Sequence, residues 1–418
     1  MRLRRLLIGA AGLATALVAA TLTIAPPASA ATLTEVTGFG TNPSNLRMHL
    51  YVPDRVQANP GILVAVHYCT GSGPAYYSGT QFARQADQYG FIVIYPSATR
   101  SGQCFDVYSP QALRRDGGSD PVSIRSMVSY VQQRYNADSN RIFAAGTSSG
   151  AMMTNVLLGL YPDVFKAGAA FAGVPFGCFA TTGGSTWNSQ CANGQITRTA
   201  QQWGDLVRNA YPGYTGARPR MQLWHGTNDE TLRYPNFGEE IKQWTNLHGL
   251  SQTPTSTDTP QSGYTRTRYG GTGGQAPVEA ISMQGVSHNL PVNAAEAIRF
   301  FGLNTGTPPP TTTPPPTTPP PTTPPPGGTC TATTSPGTVW GDRYNTSVTV
   351  NGATNWTVVV NVNAPQRITT TWNGTANLNS NGTTLTMRSN GSGNTFGFTT
   401  MTNGNPNARP QITSCTTS

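Results

Sequence analysis

Charge is scarce in this chain. Only 10% of its 418 residues are Asp, Glu, Lys or Arg, against about 25% in an average soluble protein, so uncharged polar groups must cover most of its surface. The formal net charge is +9, yet the sequence holds no cluster of five or more Lys and Arg. That lack argues against a nucleic-acid or anionic-membrane partner. Cys-x-x-Cys and paired Cys/His spacings are also missing, so neither a metal site nor a cofactor is expected. Histidine is rare, with five in all, and each can be weighed individually.

The amino-terminal residues 1–30 form a pattern of their own. Arg2, Arg4 and Arg5 precede an apolar stretch over 6–24, and Ala28-Ser29-Ala30 supplies small residues for cleavage. This is the pattern of a secretory signal peptide, which places the mature chain outside the cell. Its removal takes three arginines from +9 and leaves +6. Six cysteines in a secreted chain imply three disulfides. Cys330 and Cys415 stand alone in the carboxyl-terminal segment and are expected to clasp it end to end. Among the rest, Cys69 with Cys104 and Cys178 with Cys191 are the local pairings.

Residues 304–328 are almost entirely threonine and proline, ending in Gly327-Gly328. Proline holds the backbone near polyproline II, so at ~3.1 Å per residue this linker can separate two domains by up to roughly 70 Å. Before it, in 31–303, apolar runs at 61–66, 91–95, 141–145, 166–171 and 220–224 alternate with helical stretches such as 120–135 and 238–246. Strands apolar on both faces and separated by helices predict an α/β fold with a doubly wound parallel sheet. After it, in 329–418, the period becomes two. Trp356, Val358, Val360 and Val362 share one parity, as do Val348 with Val350, Leu385 with Met387, and Phe396 with Phe398. Short alternating strands of this kind predict a small all-β sandwich with Trp356 in its core.

Between the run at 141–145 and a helical stretch at 151–160 lies Gly146-Thr147-Ser148-Ser149-Gly150. A G-x-S-x-G pentapeptide is close to a chance occurrence in a chain with 46 glycines, so its context carries the weight. A tight strand-to-helix turn with small residues around a serine is where an α/β-hydrolase presents its nucleophile. A serine hydroxyl needs an imidazole to take its proton and a carboxylate to orient that imidazole, in the chain order Ser, acid, His. His49 and His67 precede Ser148, while His225 comes before the best acid and His248 follows a helix in a loop. This leaves His288, in Gly285-Val286-Ser287-His288-Asn289. For the acid, Asp229 follows a buried strand on the same edge of the sheet as Ser148, with Glu230 as its rival. An oxyanion hole needs two backbone amides. Ser149 supplies one, and the loop His67-Tyr68-Cys69-Thr70-Gly71 the other, with the Cys69 amide preferred.

The residues Val64-Ala65-Val66-His67-Tyr68-Cys69-Thr70-Gly71, Ser148-Ser149-Gly150-Ala151-Met152-Met153, Arg218-Pro219-Arg220-Met221-Gln222, His225-Gly226 and His288 give 31–303 a broad resemblance to the secreted acetylxylan esterases of carbohydrate esterase family 1. That family is related to feruloyl esterases and polyhydroxybutyrate depolymerases. The resemblance implies Ser148 as nucleophile, Asp229 as acid and His288 as base, acting on acetylated xylan through an acyl-enzyme. Ferulate release is the alternative, and polyester depolymerisation a more distant one. The carboxyl-terminal segment resembles the xylan-binding branch of family 2 carbohydrate-binding modules through Trp340-Gly341-Asp342-Arg343-Tyr344-Asn345, Asn355-Trp356-Thr357, Thr371-Trp372-Asn373 and the stretch 390–397. That likeness implies sugar stacking on Trp340 and Trp372 beside Asn373, with Arg343 turning one ring across the other to suit the threefold twist of xylan. Trp372 shares parity with Ile368, so its exposure requires a bulge between them.

Overall fold

The computed structural model describes residues 31–305, 330–339, 342–379, 381–390, 393–403 and 408–417. The signal-peptide pattern of 1–30, nearly all of the Thr/Pro linker and Trp340 lie outside them. The chain divides into two compact units, with the division between Thr313 and Pro314.

The first unit is built on one ten-stranded sheet. Its strands are β1 (Thr34–Val36), β2 (Arg47–Tyr51), β3 (Ile62–Val66), β4 (Ile92–Ser97), β5 (Ile142–Thr147), β6 (Ala167–Phe171), β7 (Arg220–Gly226), β8 (Ser256–Asp258), β9 (Tyr264–Tyr269) and β10 (Val278–Met283). They lie in the order β1-β2-β4-β3-β5-β6-β7-β10-β9-β8. The six central strands, from β4 to β10, run parallel, while β1, β2, β8 and β9 are antiparallel additions at the two edges. Helices α1 (Gly73–Gly79), α2 (Phe82–Tyr89), α3 (Asp120–Tyr135), α4 (Ser149–Leu160), α5 (Ser189–Ala192), α6 (Ala200–Ala210), α7 (Pro235–Leu247) and α8 (Ala294–Phe301) complete the unit.

Both faces of the sheet are covered, and this explains why β3, β4, β5 and β6 read as continuous apolar runs. In β3, Ile62, Val64 and Val66 enter the core that contains Met127, Met153, Trp203 and Trp244. Their neighbours Leu63 and Ala65 enter the opposite core with Phe82, Ile298 and Phe301. The doubly wound α/β fold expected from the alternation is the one observed. Its parallel part gains β10, which the sequence reading lacked.

Two buried polar clusters tie the helices to this frame. Glu279 on β10 is fully buried and accepts hydrogen bonds from Gln222 Nε2 on β7 (2.8 Å), Arg268 Nε on β9 (2.7 Å) and Arg299 Nη2 on α8 (2.7 Å). These clamp the elements on both sides of the loop 284–293. Removing one partner of such a buried charge cluster costs ~3–5 kcal/mol, because the others are left desolvated and unpaired. The second cluster joins α4 to α7. Asn155 Nδ2 donates to Glu240 Oε1 (2.7 Å), and Asn155 Oδ1 accepts from Trp244 Nε1 (2.7 Å). Glu240 is fully buried and its Oε2 has no partner among the described residues.

The second unit contains β11 (Thr331–Val339), β12 (Arg343–Asn351), β13 (Trp356–Asn361), β14 (Arg367–Trp372), β15 (Thr375–Leu378), β16 (Thr384–Arg388), β17 (Thr395–Met401) and β18 (Gln411–Thr417). They form two antiparallel four-stranded sheets, β11-β12-β17-β14 and β15-β16-β13-β18. The core between them holds Val348, Val350, Val358, Val360, Leu385, Met387 and Phe398, with Trp356 stacked on Phe396 at 5.1 Å. Cys330 is bonded to Cys415.

Burial pushes the Glu240 carboxyl up to about 8, with its one hydrogen bond from Asn155 opposing only in part. The folded chain therefore keeps a proton there that the unfolded chain gives up above its ordinary value of 4.5. Its stabilising contribution is complete below that value and is lost as pH rises towards about 8. Glu240→Gln keeps the neutral shape without the titration. Thermal melts from pH 5 to 9 should show the wild type losing about 8 °C more than the variant on the alkaline side; parallel profiles would contradict this.

Candidate active site

The turn from β5 into α4 sets the position of Ser148. Its backbone adopts φ 55° and ψ −117°, a conformation that a residue with a Cβ avoids unless its surroundings impose it. Two glycines allow the imposition. A Cβ on Gly146 would stand 2.3 Å from Gly150 O, and one on Gly150 would stand 2.1 Å from Val66 O. The Ser148 amide donates to Phe171 O at the end of β6 (2.9 Å), fixing the turn to the next strand.

Ser148, Asp229 and His288 come together. Ser148 Oγ lies 2.9 Å from His288 Nε2, and His288 Nδ1 lies 2.7 Å from Asp229 Oδ2. With Nδ1–H donating to the carboxylate, Nε2 carries the lone pair that can accept the serine proton. Asp229 Oδ1 accepts the backbone amides of Thr231 (2.9 Å) and Leu232 (2.8 Å). Glu230 occupies a different place. Its Oε2 accepts the backbone N–H of His288 at 3.2 Å and so tethers the histidine's main chain.

His225 is a fourth member that sequence order passed over. It is fully buried at the end of β7, its Nε2 2.7 Å from Leu232 O and 3.2 Å from Asp229 Oδ2. Burial works to raise the Asp229 carboxyl, but hydrogen bonds from His225 and His288 outweigh it and hold the group well below the usual carboxylate range. The acid thus stays ionised. The signal for His225 was its spacing four residues ahead of Asp229, which a search restricted to histidines following the acid leaves aside.

The loop after β3 faces this group. His67 is buried, donates through Nδ1 to Tyr68 O (2.6 Å) and accepts the Ala98 amide at Nε2 (3.1 Å). Burial pushes its imidazole down to about 4, so it remains neutral in this role. The loop is further held by the Cys69–Cys104 disulfide and by Thr70 N–H donating to Gly102 O (2.7 Å). The Cys104 segment is itself anchored where Arg100 bridges to both carboxylate oxygens of Asp120 and to Cys104 O (2.8 Å). The amides of Cys69 and Ser149 donate to no acceptor among the described residues.

A cavity of about 360 Å³ opens in front of Ser148 and His288, lined also by Tyr68, Cys69, Thr70, Thr147, Trp187, Glu230, Thr231 and Asn289. Trp187 comes from an irregular segment closed by the Cys178–Cys191 disulfide and packs edge-on against Phe179, with centroids 5.1 Å apart. It has no periodic neighbours, so no pattern in the sequence marked it.

In the second unit, β14 carries a bulge between Ile368 and Thr370. Ile368 lies in the core opposite Thr400, whereas beyond the bulge Thr371 pairs with buried Phe398 and Trp372 with Gly397. The bulge turns Trp372 to the outer face. There the indole covers Gly397, where a Cβ would stand 2.2 Å from the ring. Arg343, exposed and paired with Asp342 (3.0 Å), has the outward parity of β12, and Asn373 follows in a left-handed conformation with φ 58°.

A family model described as Esterase PHB depolymerase matches residues 46–190. Feruloyl esterase B of Talaromyces funiculosus is 48% identical over 68% of this chain and 80% of its own length. An acetylxylan esterase of Coprinopsis cinerea is also 48% identical, over 67% of this chain and 75% of its own. Among solved structures, the acetyl xylan esterase from Aspergillus awamori aligns with a TM-score of 0.63 and 42% identity, covering 65% of this chain and 99% of that one. An internal xylan-binding domain of Cellulomonas fimi xylanase D is 40% identical over 22% of this chain and 100% of its own, with a TM-score of 0.19. With an α/β-hydrolase sheet and a serine, histidine and carboxylate in contact at its edge, the chain belongs to the esterase family that includes these feruloyl and acetylxylan esterases.

Proposed function

We propose that the chain is a secreted serine esterase that removes acetyl groups from acetylated xylan, held on the polymer by its carboxyl-terminal unit. The carrying observation is the continuous contact from Ser148 Oγ through His288 to Asp229 at the edge of an open cavity. The acetyl specificity draws on the relatives named acetylxylan esterase. Secretion draws on the pattern of residues 1–30 and on three disulfides without a free cysteine among the described residues.

In the reaction, Ser148 Oγ attacks the acetyl carbonyl carbon while His288 Nε2 takes its proton. The carbonyl oxygen becomes an oxyanion, met by the amides of Ser149 and Cys69. Both amides are free to donate, and the disulfide and His67 hold the Cys69 loop in place beforehand. As the intermediate collapses, the C–O bond to the sugar breaks and His288 returns the proton to the departing hydroxyl. Water then attacks acetyl-Ser148, again losing its proton to His288, and acetate leaves. Asp229, ionised throughout, stabilises the imidazolium formed at each transfer. The N–H groups of Thr231, Leu232, His288 and His225 around its two oxygens hold it in that ionised state.

The carboxyl-terminal unit contributes position. An indole face packs on the C–H face of a pyranose, and Trp372, Asn373 and Arg343 stand on the outer side of one sheet for that purpose. Trp340, the second stacking ring in this reading, lies outside the described residues. A feruloyl esterase is the second reading, favoured by the relatives so named and by Trp187 beside the cavity, where an aromatic acid could pack.

Ser148→Ala should lower turnover on acetylated xylan by at least ~1000-fold, and purified variant with near-normal activity would refute the nucleophile. Acetate release from acetylated xylan and ferulate release from a feruloyl ester, measured side by side with Ser148→Ala as blank, separates the two substrate readings. Deleting 304–418 should leave hydrolysis of a small soluble acetate unchanged while reducing retention on insoluble xylan, because tethering raises local concentration without altering the ester chemistry. Equal losses on both would refute that division.

A further inference from the structure

The cavity before Ser148 has a neighbour. A second cavity, of about 510 Å³, is lined by Arg47, His49, Ser72, Thr99 and Gln103 among others, and it shares Tyr68 and Thr70 with the first. Among the described residues the exposed large hydrophobic side chains are Tyr68, at 41%, and Trp187, at 46%, and both border the Ser148 cavity. A single exposed ring needs no explanation. Two of them flanking one reactive serine, with one also forming the ridge to a second cleft, mark a continuous track.

The chemistry of the second cavity selects its occupant. Arg47 spends Nε and Nη2 on the two carboxylate oxygens of Glu35, so its charge is neutralised and offers little to an anion. Ser72 accepts the Ala75 amide and keeps its hydroxyl proton for another partner, while Gln103 adds an amide that both donates and accepts. Pro74 and Ala75 form a small apolar patch among these groups. Uncharged donors and acceptors around apolar surface, beside an exposed aromatic ring, match a pyranose, which has hydroxyls at its rim and C–H groups on its faces.

The shared wall is rigid before any ligand arrives. It is held by the Cys69–Cys104 disulfide, by Thr70 N–H to Gly102 O, and by Gly73 N–H to Ser97 Oγ (2.7 Å) at the floor, where His49 Nδ1 also meets Ser97 Oγ (3.3 Å). A preformed wall lowers the ordering cost of binding. We infer that the second cavity is an accessory subsite holding a pyranose unit next along the chain from the one whose ester sits at Ser148, the polymer crossing Tyr68 between them. The esterase unit thus reads chain length by itself, independently of the carboxyl-terminal unit. The inference rests on the xylan reading proposed above.

The test uses the full-length protein and the hydrolysis of α-naphthyl acetate, inhibited by xylose or by unacetylated xylobiose. Inhibition of this reaction reports the esterase site and is blind to sugar held on the other unit. Xylobiose should inhibit the wild type at least ~5-fold more tightly than xylose, the worth of one or two added hydrogen bonds. Gln103→Ala, which removes the amide, and Ala75→Leu, which fills the cleft from the exposed face of α1, should each abolish most of that preference. Two independent variants guard against a folding defect in either. Equal inhibition by the two sugars, or a preference that survives both substitutions, would overturn the subsite. Acetate release from acetylated xylo-oligosaccharides is measured in parallel. Its absence would refute the substrate reading, while the inhibition series still decides the subsite.

Discussion

The arrangement at the sheet edge depends on a backbone held where it would not rest by itself. With φ at 55° and ψ at −117°, Ser148 carries strain of the kind that costs ~1–3 kcal/mol. Three close constraints maintain it: the approach of Gly146 to Gly150 O, the approach of Gly150 to Val66 O, and the bond from the Ser148 amide to Phe171 O. Each reaches a different strand, β5, β3 or β6, so the turn is fixed by the parallel core and not by local preference. The same geometry leaves the Ser149 amide at the start of α4 without an acceptor among the described residues. One strained residue therefore positions both its own hydroxyl beside His288 and the amide of Ser149 that follows it.

Electrostatics around that turn divides between groups kept charged and groups kept neutral. Asp229 is buried, which alone would favour its protonated form, yet N–H donors from His225, His288, Thr231 and Leu232 surround its two oxygens and keep it ionised. His67 and Glu240 show the opposite result. Each is buried without a compensating charge, and each stays neutral near neutral pH. His67 in its neutral form can both donate to Tyr68 O and accept from Ala98 N–H, which an imidazolium could not do. The loop bearing Cys69 depends on that amphoteric ring.

What could be read from the sequence follows from what leaves a periodic trace. Strands buried on both faces produced apolar runs at 61–66, 91–95, 141–145 and 166–171, within one or two residues of the observed β3, β4, β5 and β6, and helix α3 matched its expected span. Short antiparallel strands such as β1 and β8, of three residues each, are exposed at the sheet edges and leave no such trace. The serine, acid and histidine were legible because their chain order and positions relative to strands are restrictive. His225 and Trp187 were not, because one acts through a contact that only folding creates and the other stands in an irregular segment. Glu230 and Asp229, adjacent in sequence, could be separated only by the turn after β7, which aims one at the imidazole and the other at a backbone amide.

Trp372 shows how a single inserted residue can decide which face of a sheet a side chain occupies. Strict alternation from Ile368 would place the indole in the core, where Trp356 already stacks on Phe396. A second large ring there would overfill the space between two four-stranded sheets and cost ~1–3 kcal/mol or more. The bulge at Thr369 shifts the phase, places Thr371 over Phe398 and turns Trp372 outward onto Gly397. Glycine at 397 is the complement of that shift, since any side chain would meet the indole. A bulge interrupts the ladder, and the half-buried indole regains packing against the backbone at Gly397. The alternation rule is thus broken at Trp372, whose ring packs on Gly397 at the outer face and not in the core between the sheets.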